Sequence, residues 1–140
     1  MSRIQLQFPE KIAFTTQVAI TISDINYGGH LGNDRFLTLM QEARLQWLKL
    51  LGYKDEKEVE PPVGIIVADA AIQFKAEVFH GEIITIELGI DGMGGSSFDL
   101  YYRLINQQGV EVAIGKTGIV CFNYETRKVA RIPESLKAAF

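Results

Sequence analysis

The sequence contains a single cysteine, no run of basic residues and no apolar stretch long enough to cross a bilayer. One thiol cannot form an internal disulfide, and neither it nor the 2 histidines show the spacing of a zinc site, so we expect no metal. The 14 Lys and Arg against 17 Asp and Glu include no basic patch, which disfavours nucleic acid as a partner. Because the N-terminus lacks a signal-peptide core, the sequence predicts a cytoplasmic protein without a membrane segment.

The chain has 140 residues, of which 47% are hydrophobic, and this is enough for one core. We therefore expect one domain over residues 1–140. The lone cysteine, Cys121, lies among mostly apolar residues, which indicates a buried structural thiol on a strand.

The hydrophobic pattern predicts one long helix among several strands. The predicted elements are strands at 12–23, 63–79, 84–90, 98–105 and 110–124, a helix with an apolar stripe over 36–51, and a short C-terminal helix at 134–139. Strands joined mostly by hairpins favour an α+β fold, in which an antiparallel sheet packs on the helix. Such a sheet has open edges, so we expect a homo-oligomer, at least a dimer.

A polar turn precedes the helix and collects an acid, amides and an imidazole: Asp24, Asn26, His30 and Asn33. Its glycines at 28, 29 and 32 accept the backbone angles of a tight turn. We expect Asn33 to be the N-cap, with Asp34 in the first turn, where an acid favours the helix dipole.

Two polar residues interrupt the apolar side of the helix. Arg44 falls inside the apolar arc and Gln41 at its margin, whereas Glu42 points away from the core. We expect Arg44 to be buried as the partner of an acid. Gly52 is placed to end the helix.

The turn DINYGGHLGN at 24–33 and the helix phrase QEAR at 41–44 resemble the hot-dog fold acyl-CoA thioesterases of the 4-hydroxybenzoyl-CoA thioesterase type. The signature of that family is roughly D-x-D-x-x-G-H-x-x-N followed by E-x-A-R. The resemblance covers nearly the whole chain. It implies an antiparallel sheet wrapped around one long central helix, an acyl-CoA substrate and no cofactor. It also implies dimers or tetramers whose active sites lie at the dimer interface.

Two positions depart from the signature of the family. Asn26 stands where many members have the second Asp of the turn, and Gln41 stands where the helix has Glu. An amide can orient water or donate to an oxyanion, but it cannot act as a general base. The base must therefore come from another position.

Two acids are candidates for the base. Asp24 matches the first Asp of the motif, although a role in capping turn amides is equally compatible with its position. Asp69 shares strand parity with Val67 and lies among small apolar neighbours, where burial would raise its pKa, although a surface or paired acid also fits.

The resemblance places the remaining site residues. Asn26 and His30 would hold the attacking water, while the N-terminal amides of the helix, from Gly32 to Asp34, would receive the oxyanion. Gly32, Asn33 and Gln41 would form the oxyanion and substrate-binding group, and Lys75, Arg103 and Lys116 would contact the CoA phosphates.

The resulting hypothesis is hydrolysis of a small to medium acyl-CoA by water attack. The two amides keep open an alternative, a hot-dog protein that binds acyl-CoA or an acyl carrier protein without hydrolysing it. A dehydratase on the same fold is a third alternative.

Overall fold

Residues 2–140 are described by a computed structural model. The elements are β1 (Phe14–Ala19), a 3-10 turn (Ile22–Asp24), α1 (Asn33–Leu50), β2 (Val63–Phe74), β3 (Ile83–Asp91), β4 (Ser97–Ile105), β5 (Glu111–Asn123), β6 (Lys128–Val129) and α2 (Glu134–Lys137). The predicted order of one strand, a long helix and four further strands is confirmed, with β6 in addition. No helix in this part of the chain is long and apolar enough to span a membrane.

All strands pair antiparallel in the order β1-β3-β4-β5-β2, and β6 pairs with β5. Of the hairpins expected between consecutive strands, those between β3 and β4 and between β4 and β5 are present, whereas β2 and β3 do not pair with each other. The chain leaves β2 at Lys75, where the N–H groups of Lys75 and Ala76 both donate to the carbonyl oxygen of Val112 on β5. It then continues to β3 on the far side of the sheet, so β2 is left as an edge strand.

One side of α1 packs against the sheet to form the core. The buried residues of α1 are Phe36, Leu39, Met40, Ala43, Arg44, Trp47 and Leu48, and they lie against the inward-facing residues of β3, β4 and β5. At Gly115 the helix comes so close that an added methyl group would stand 2.6 Å from the Met40 sulfur. Cys121 is also buried, and burial raises the pKa of its thiol to about 11, as expected for a structural cysteine.

The ends of α1 test two predictions. Asn33 is not the N-cap, because the cap is Gly32 in an extended conformation and Asn33 is the first helical residue. The carbonyl oxygen of Gly32 accepts the N–H of Arg35 at 2.9 Å, which starts the helix one residue earlier than predicted. Gly52 does end the helix: it has φ of +96°, and its N–H donates to the Lys49 carbonyl oxygen.

Two predicted strands are shorter in the structure. The first ends at Ala19, because residues 22–24 turn into a 3-10 helix that aims Asp24 inward. The second ends at Phe74 instead of residue 79. Residues 75–82 are therefore a connector, and this places them beside the polar turn.

Candidate active site

The polar turn before α1 folds back on itself around Asn26. The Asn26 N–H donates to the His30 carbonyl oxygen at 2.9 Å, and the Gly29 N–H donates to the Asn26 carbonyl oxygen at 3.0 Å. Gly29 has φ of +83°, a conformation that favours glycine. The Gly28 N–H donates to Oδ1 of Asn26 at 2.9 Å. The amide nitrogen of Asn26 therefore remains to donate to a substrate or a water molecule.

A backbone hydrogen bond fixes the turn against the β2–β3 connector. The N–H of Leu31 donates to the carbonyl oxygen of Val78 at 2.7 Å, and both residues are fully buried. Because Leu31 follows His30 and Val78 follows Glu77, this bond brings the His30 and Glu77 side chains to the same place.

A cleft of about 270 Å³ opens at this place, between the start of α1 and the end of β2. Its lining residues are His30, Leu31, Asn33, Phe36, Phe74, Lys75, Ala76 and Glu77. The Phe36 and Phe74 rings meet edge to face with their centroids 5.1 Å apart. The cleft thus has an apolar floor with polar groups at its mouth.

His30 presents a hydrogen-bond acceptor to this cleft. Its Nδ1 lies 3.2 Å from the carbonyl oxygen of Leu31. Because a carbonyl oxygen only accepts, Nδ1 donates in this contact, and in that tautomer Nε2 is an acceptor. Nε2 is 4.0 Å from Oε1 of Glu77. A methyl group on Gly28 would stand 3.2 Å from both Nε2 of His30 and Oδ1 of Asn26, so these groups flank one glycine.

Two N–H groups at the start of α1 have no backbone or side-chain acceptor among residues 2–140. They belong to Asn33 and Asp34, the first residues of the helix. The N–H of Gly32, predicted to join them, instead donates to the carbonyl oxygen of Asp24 at 3.1 Å. The helix dipole adds partial positive charge at this end, so the two free amides can stabilise an anionic oxygen.

Asp24 is held in a structural role by its neighbours. Its carboxylate accepts Nε and Nη2 of Arg35 at 3.2 and 2.9 Å and the N–H of Thr21 at 2.9 Å. Burial alone would raise the pKa of the Asp24 carboxyl, but the hydrogen bonds from Thr21 and Arg35 outweigh burial and lower it. A carboxylate so paired is a weak proton acceptor.

Asp69 lies on the opposite face of the sheet from α1. A bulge between Val67 and Asp69 shifts the register, so the two residues do not share a face as the strand parity predicted. The Asp69 side chain is 65% exposed and accepts Nζ of Lys116 at 2.8 Å. This lysine lowers the pKa of the Asp69 carboxyl, so the predicted raised pKa is wrong.

The three basic residues predicted to contact CoA do not converge. Lys75 lines the cleft and pairs with Glu111. Arg103 and Lys116 project from the outer face of the sheet, where Arg103 lies over the Phe8 ring at 4.4 Å. The carboxylate partners of these two residues are Glu87 for Arg103 and both Asp69 and Asp99 for Lys116.

Gln41 is exposed on α1, away from the N-terminal amides. It lies eight residues after Asn33, and at a rise of about 1.5 Å per residue this is roughly 12 Å along the helix axis. The Gln41 side chain is therefore outside the group formed by His30 and the free amides of the same subunit.

Arg44 is buried as the partner of an acid, as predicted. Its Nε donates to Oε1 of Glu56 at 2.8 Å, and its Nη1 donates to the Tyr102 hydroxyl at 2.9 Å. The Tyr102 and Thr117 hydroxyls are 2.7 Å apart. Burial raises the pKa of the Tyr102 hydroxyl, which keeps it neutral as a donor and acceptor in this network.

Glu77 is the site residue that the sequence did not reveal. It falls inside the predicted strand 63–79, and no motif marks it. Only the early end of β2 at Phe74 and the bond between Leu31 and Val78 bring it next to His30.

The chain is similar to known proteins over most of its length. Residues 20–140 match the model of the thioesterase-like superfamily. The chain is 33% identical over 78 residues to the 1,4-dihydroxy-2-naphthoyl-CoA hydrolase of Microcystis aeruginosa, a match that spans 56% of each protein. It is 20% identical over 127 residues to the acyl-CoA thioester hydrolase YbgC of Escherichia coli O6:H1, covering 91% of this chain and 95% of that relative.

The fold agrees with a solved enzyme structure. A gentisyl-coenzyme A thioesterase superposes with a TM-score of 0.81 and 25% sequence identity, covering 91% of this chain and 99% of the other. The sheet around one helix is therefore the hot-dog fold, and the α+β prediction is confirmed. The chain belongs to the thioesterase-like superfamily, and its class is that of the thioester hydrolases, as the sequence predicted.

Proposed function

We propose that the protein is a cytoplasmic acyl-CoA thioesterase that hydrolyses a small to medium acyl-CoA by direct attack of water. The observation that carries this proposal is the free pair of N–H groups at Asn33 and Asp34, beside His30 in an apolar-floored cleft. The names of the relatives support acyl-CoA as the substrate class, since each of them is a hydrolase of a CoA thioester.

The mechanism follows from where charge develops. Attack on the thioester carbonyl places negative charge on its oxygen, and the Asn33 and Asp34 amides are the donors for that oxygen. The free amide nitrogen of Asn26 and Nε2 of His30 orient the attacking water. Asp24 keeps the turn in place through Arg35 and does not itself transfer the proton.

The active protein is proposed to be a homodimer that pairs through β2, or a tetramer made of two such dimers. This strand is an edge of the sheet, and its exposed residues include Val67 at 42% and Phe74 at 47%. Because the cleft is lined by the end of β2, a partner subunit paired along that edge would cover its open side. Gln41, exposed on α1, would then face the partner instead of its own cleft.

We assign the CoA phosphate contact to Lys75, because it lines the cleft, where its carboxylate partner is Glu111. Arg103 and Lys116 remain candidates only for a nucleotide that reaches the outer face of the sheet. Their carboxylate partners make structural roles the better interpretation.

Release of free thiol from a panel of acyl-CoAs tests the proposal. The panel should run from acetyl-CoA to octanoyl-CoA and include benzoyl-CoA, because the cleft floor has two aromatic rings. We expect steady-state turnover on at least one member of the panel. Binding of CoA without turnover on any member would contradict hydrolysis and favour the alternative function.

That alternative is a protein that binds acyl-CoA or an acyl carrier protein without hydrolysing it. It is favoured by the amides at Asn26 and Gln41 and by the ion pair that occupies Asp24. Asn26→Asp distinguishes the two functions, since Oδ1 of an aspartate can still accept the Gly28 N–H. Turnover that appears only in this variant would establish the binding protein, whereas turnover in the natural chain establishes the enzyme.

A further inference from the structure

The cleft contains a carboxylate, that of Glu77, at a position where the family signature has no acid. Oε1 of Glu77 is 4.0 Å from Nε2 of His30, and both residues line the cleft beside Asn33. Glu77 comes from the β2–β3 connector and not from the turn or the helix, where the signature has its acids. Amides thus occupy the two usual acid positions, and the acid Glu77 lies beside His30 instead.

The backbone on both sides of Glu77 is fixed. Before it, the N–H of Ala76 donates to the carbonyl oxygen of Val112 at 3.1 Å. After it, Val78 is 1% exposed and accepts the N–H of Leu31 at 2.7 Å. Glu77 therefore projects from an anchored segment towards His30, although its side chain is 64% exposed.

The spacing between the two side chains suits one bound water molecule. The carboxylate of Glu77 accepts hydrogen bonds, and Nε2 of His30 does so in the tautomer whose Nδ1 donates to the Leu31 carbonyl oxygen. A water that donates one hydrogen to each acceptor lies about 2.8 Å from both. At that distance, acceptors separated by 4.0 Å subtend an angle of about 90°, so each hydrogen bond from the water bends by only a few degrees from linear. The lone pairs of this water remain free to attack a carbonyl carbon.

The two acids predicted as the base are both occupied. Asp24 pairs with Arg35, and Asp69 pairs with Lys116 on the opposite face of the sheet. Lys75, the first residue of the connector, pairs with Glu111 and not with Glu77. Of the residues that line the cleft, Glu77 is the one that has a carboxylate.

We propose that Glu77 is the general base of the site, holding the attacking water together with His30 and accepting its proton. The inference rests on the proposed thioesterase function. The water oxygen forms a bond to the thioester carbon while one O–H proton passes to the Glu77 carboxylate. The C–S bond then breaks, the proton passes from Glu77 to the departing sulfur, and the products are a carboxylic acid and the CoA thiol.

Glu77→Gln, Glu77→Ala and Glu77→Asp test this role in the full-length protein. Loss of a general base costs about 100-fold or more in turnover, so kcat should fall by about that factor in the Gln and Ala variants. KM should stay within about threefold, because the carboxylate contacts the water and not the acyl group. The Asp variant should retain more activity than the Gln variant, because it keeps a carboxylate that is one methylene shorter.

Chemical rescue separates a catalytic role from a structural one. Added formate should restore part of the kcat of Glu77→Ala, because it returns a carboxylate to the space left by the side chain. Glu125→Gln is the matched control, since it removes the same charge from an exposed turn, and it should leave kcat unchanged.

Each result decides one claim. If the natural chain turns over substrate and the kcat of Glu77→Gln is within threefold of the natural kcat, the assignment of Glu77 is overturned. The thioesterase function is left intact by that result. A loss of kcat that follows a lowered melting temperature and is not rescued by formate would also overturn the assignment. Absence of turnover in the natural chain contradicts the thioesterase function itself, and the role of Glu77 is rejected with it.

Discussion

Arg35 donates two hydrogen bonds, from Nε at 3.2 Å and Nη2 at 2.9 Å, to the same carboxylate oxygen of Asp24. This pair joins the first turn of α1 to the 3-10 turn after β1. This ion pair closes the polar turn between the two elements. The positions of His30 and of the free N–H groups of α1 therefore depend on it.

Removing the ion pair should destabilise the fold. Hydrogen bonds to a charged group contribute about 1.5–3 kcal/mol, and we expect Asp24→Asn to lower the free energy of unfolding by that amount at pH 7. Urea unfolding of Asp24→Asn, Arg35→Met and the double variant measures the coupling between the two residues. If the double variant loses as much unfolding free energy as the two single variants together, the interaction between Asp24 and Arg35 contributes nothing to stability.

The contribution of Asp24 should depend on pH with a defined sign. The pKa of its carboxyl is lowered on folding from an ordinary value of 3.8, because the hydrogen bonds from Thr21 and Arg35 outweigh burial. The stabilisation is thus present above the unfolded-state pKa and is lost as pH falls through the folded-state pKa. The stability difference between the natural chain and Asp24→Asn should be constant from about pH 7 to 5 and shrink below about pH 4. A difference that grows with acidity would contradict this assignment.

The sequence predicted the features that adjacent residues specify. The turn from Asp24 to Asn33 and the helix after it are contiguous, so the motif placed them together. The burial of Arg44 followed from helical periodicity alone. Features that depend on strand pairing were not predictable, because neither the extra residue in β2 before Asp69 nor the exit of the chain at Phe74 has a local signal. The acid opposite His30 was missed for this reason.

The buried network around Arg44 makes a second stability prediction. Tyr102→Phe removes the hydroxyl that accepts from Nη1 of Arg44 at 2.9 Å and lies 2.7 Å from the Thr117 hydroxyl. Both groups therefore lose a hydrogen-bond partner. An unsatisfied buried group costs about 1–3 kcal/mol, so the free energy of unfolding should fall by that amount. Tyr101→Phe is the matched control, because this neighbouring tyrosine points to the other face and its hydroxyl bonds to nothing within residues 2–140. Equal effects of the two substitutions would show that the network adds no stability.

The proposed pairing through β2 can be tested at its exposed edge. Val67→Lys places a charge on an edge strand, where lysine opposes pairing with another strand. We expect light scattering to report a smaller assembly than that of the natural chain, with a parallel loss of thioesterase activity. Val110→Lys is the control, since Val110 is similarly exposed at 47% but lies in the turn between β4 and β5. An unchanged assembly in Val67→Lys would place the interface elsewhere.

The last prediction concerns the glycine between the two polar groups of the turn. An alanine at Gly28 would place its methyl group 3.2 Å from Nε2 of His30 and 3.2 Å from Oδ1 of Asn26, closer than ordinary van der Waals contact. At least one of these two side chains must move, and because both are proposed to orient the attacking water, either movement disturbs the water site. We expect kcat to fall by about tenfold or more, because small misplacements of a catalytic group are costly, while the melting temperature changes little. Gly95→Ala, which meets nothing within 4 Å, should leave both quantities unchanged. Full activity in Gly28→Ala would show that the positions of the His30 and Asn26 side chains do not matter for the reaction.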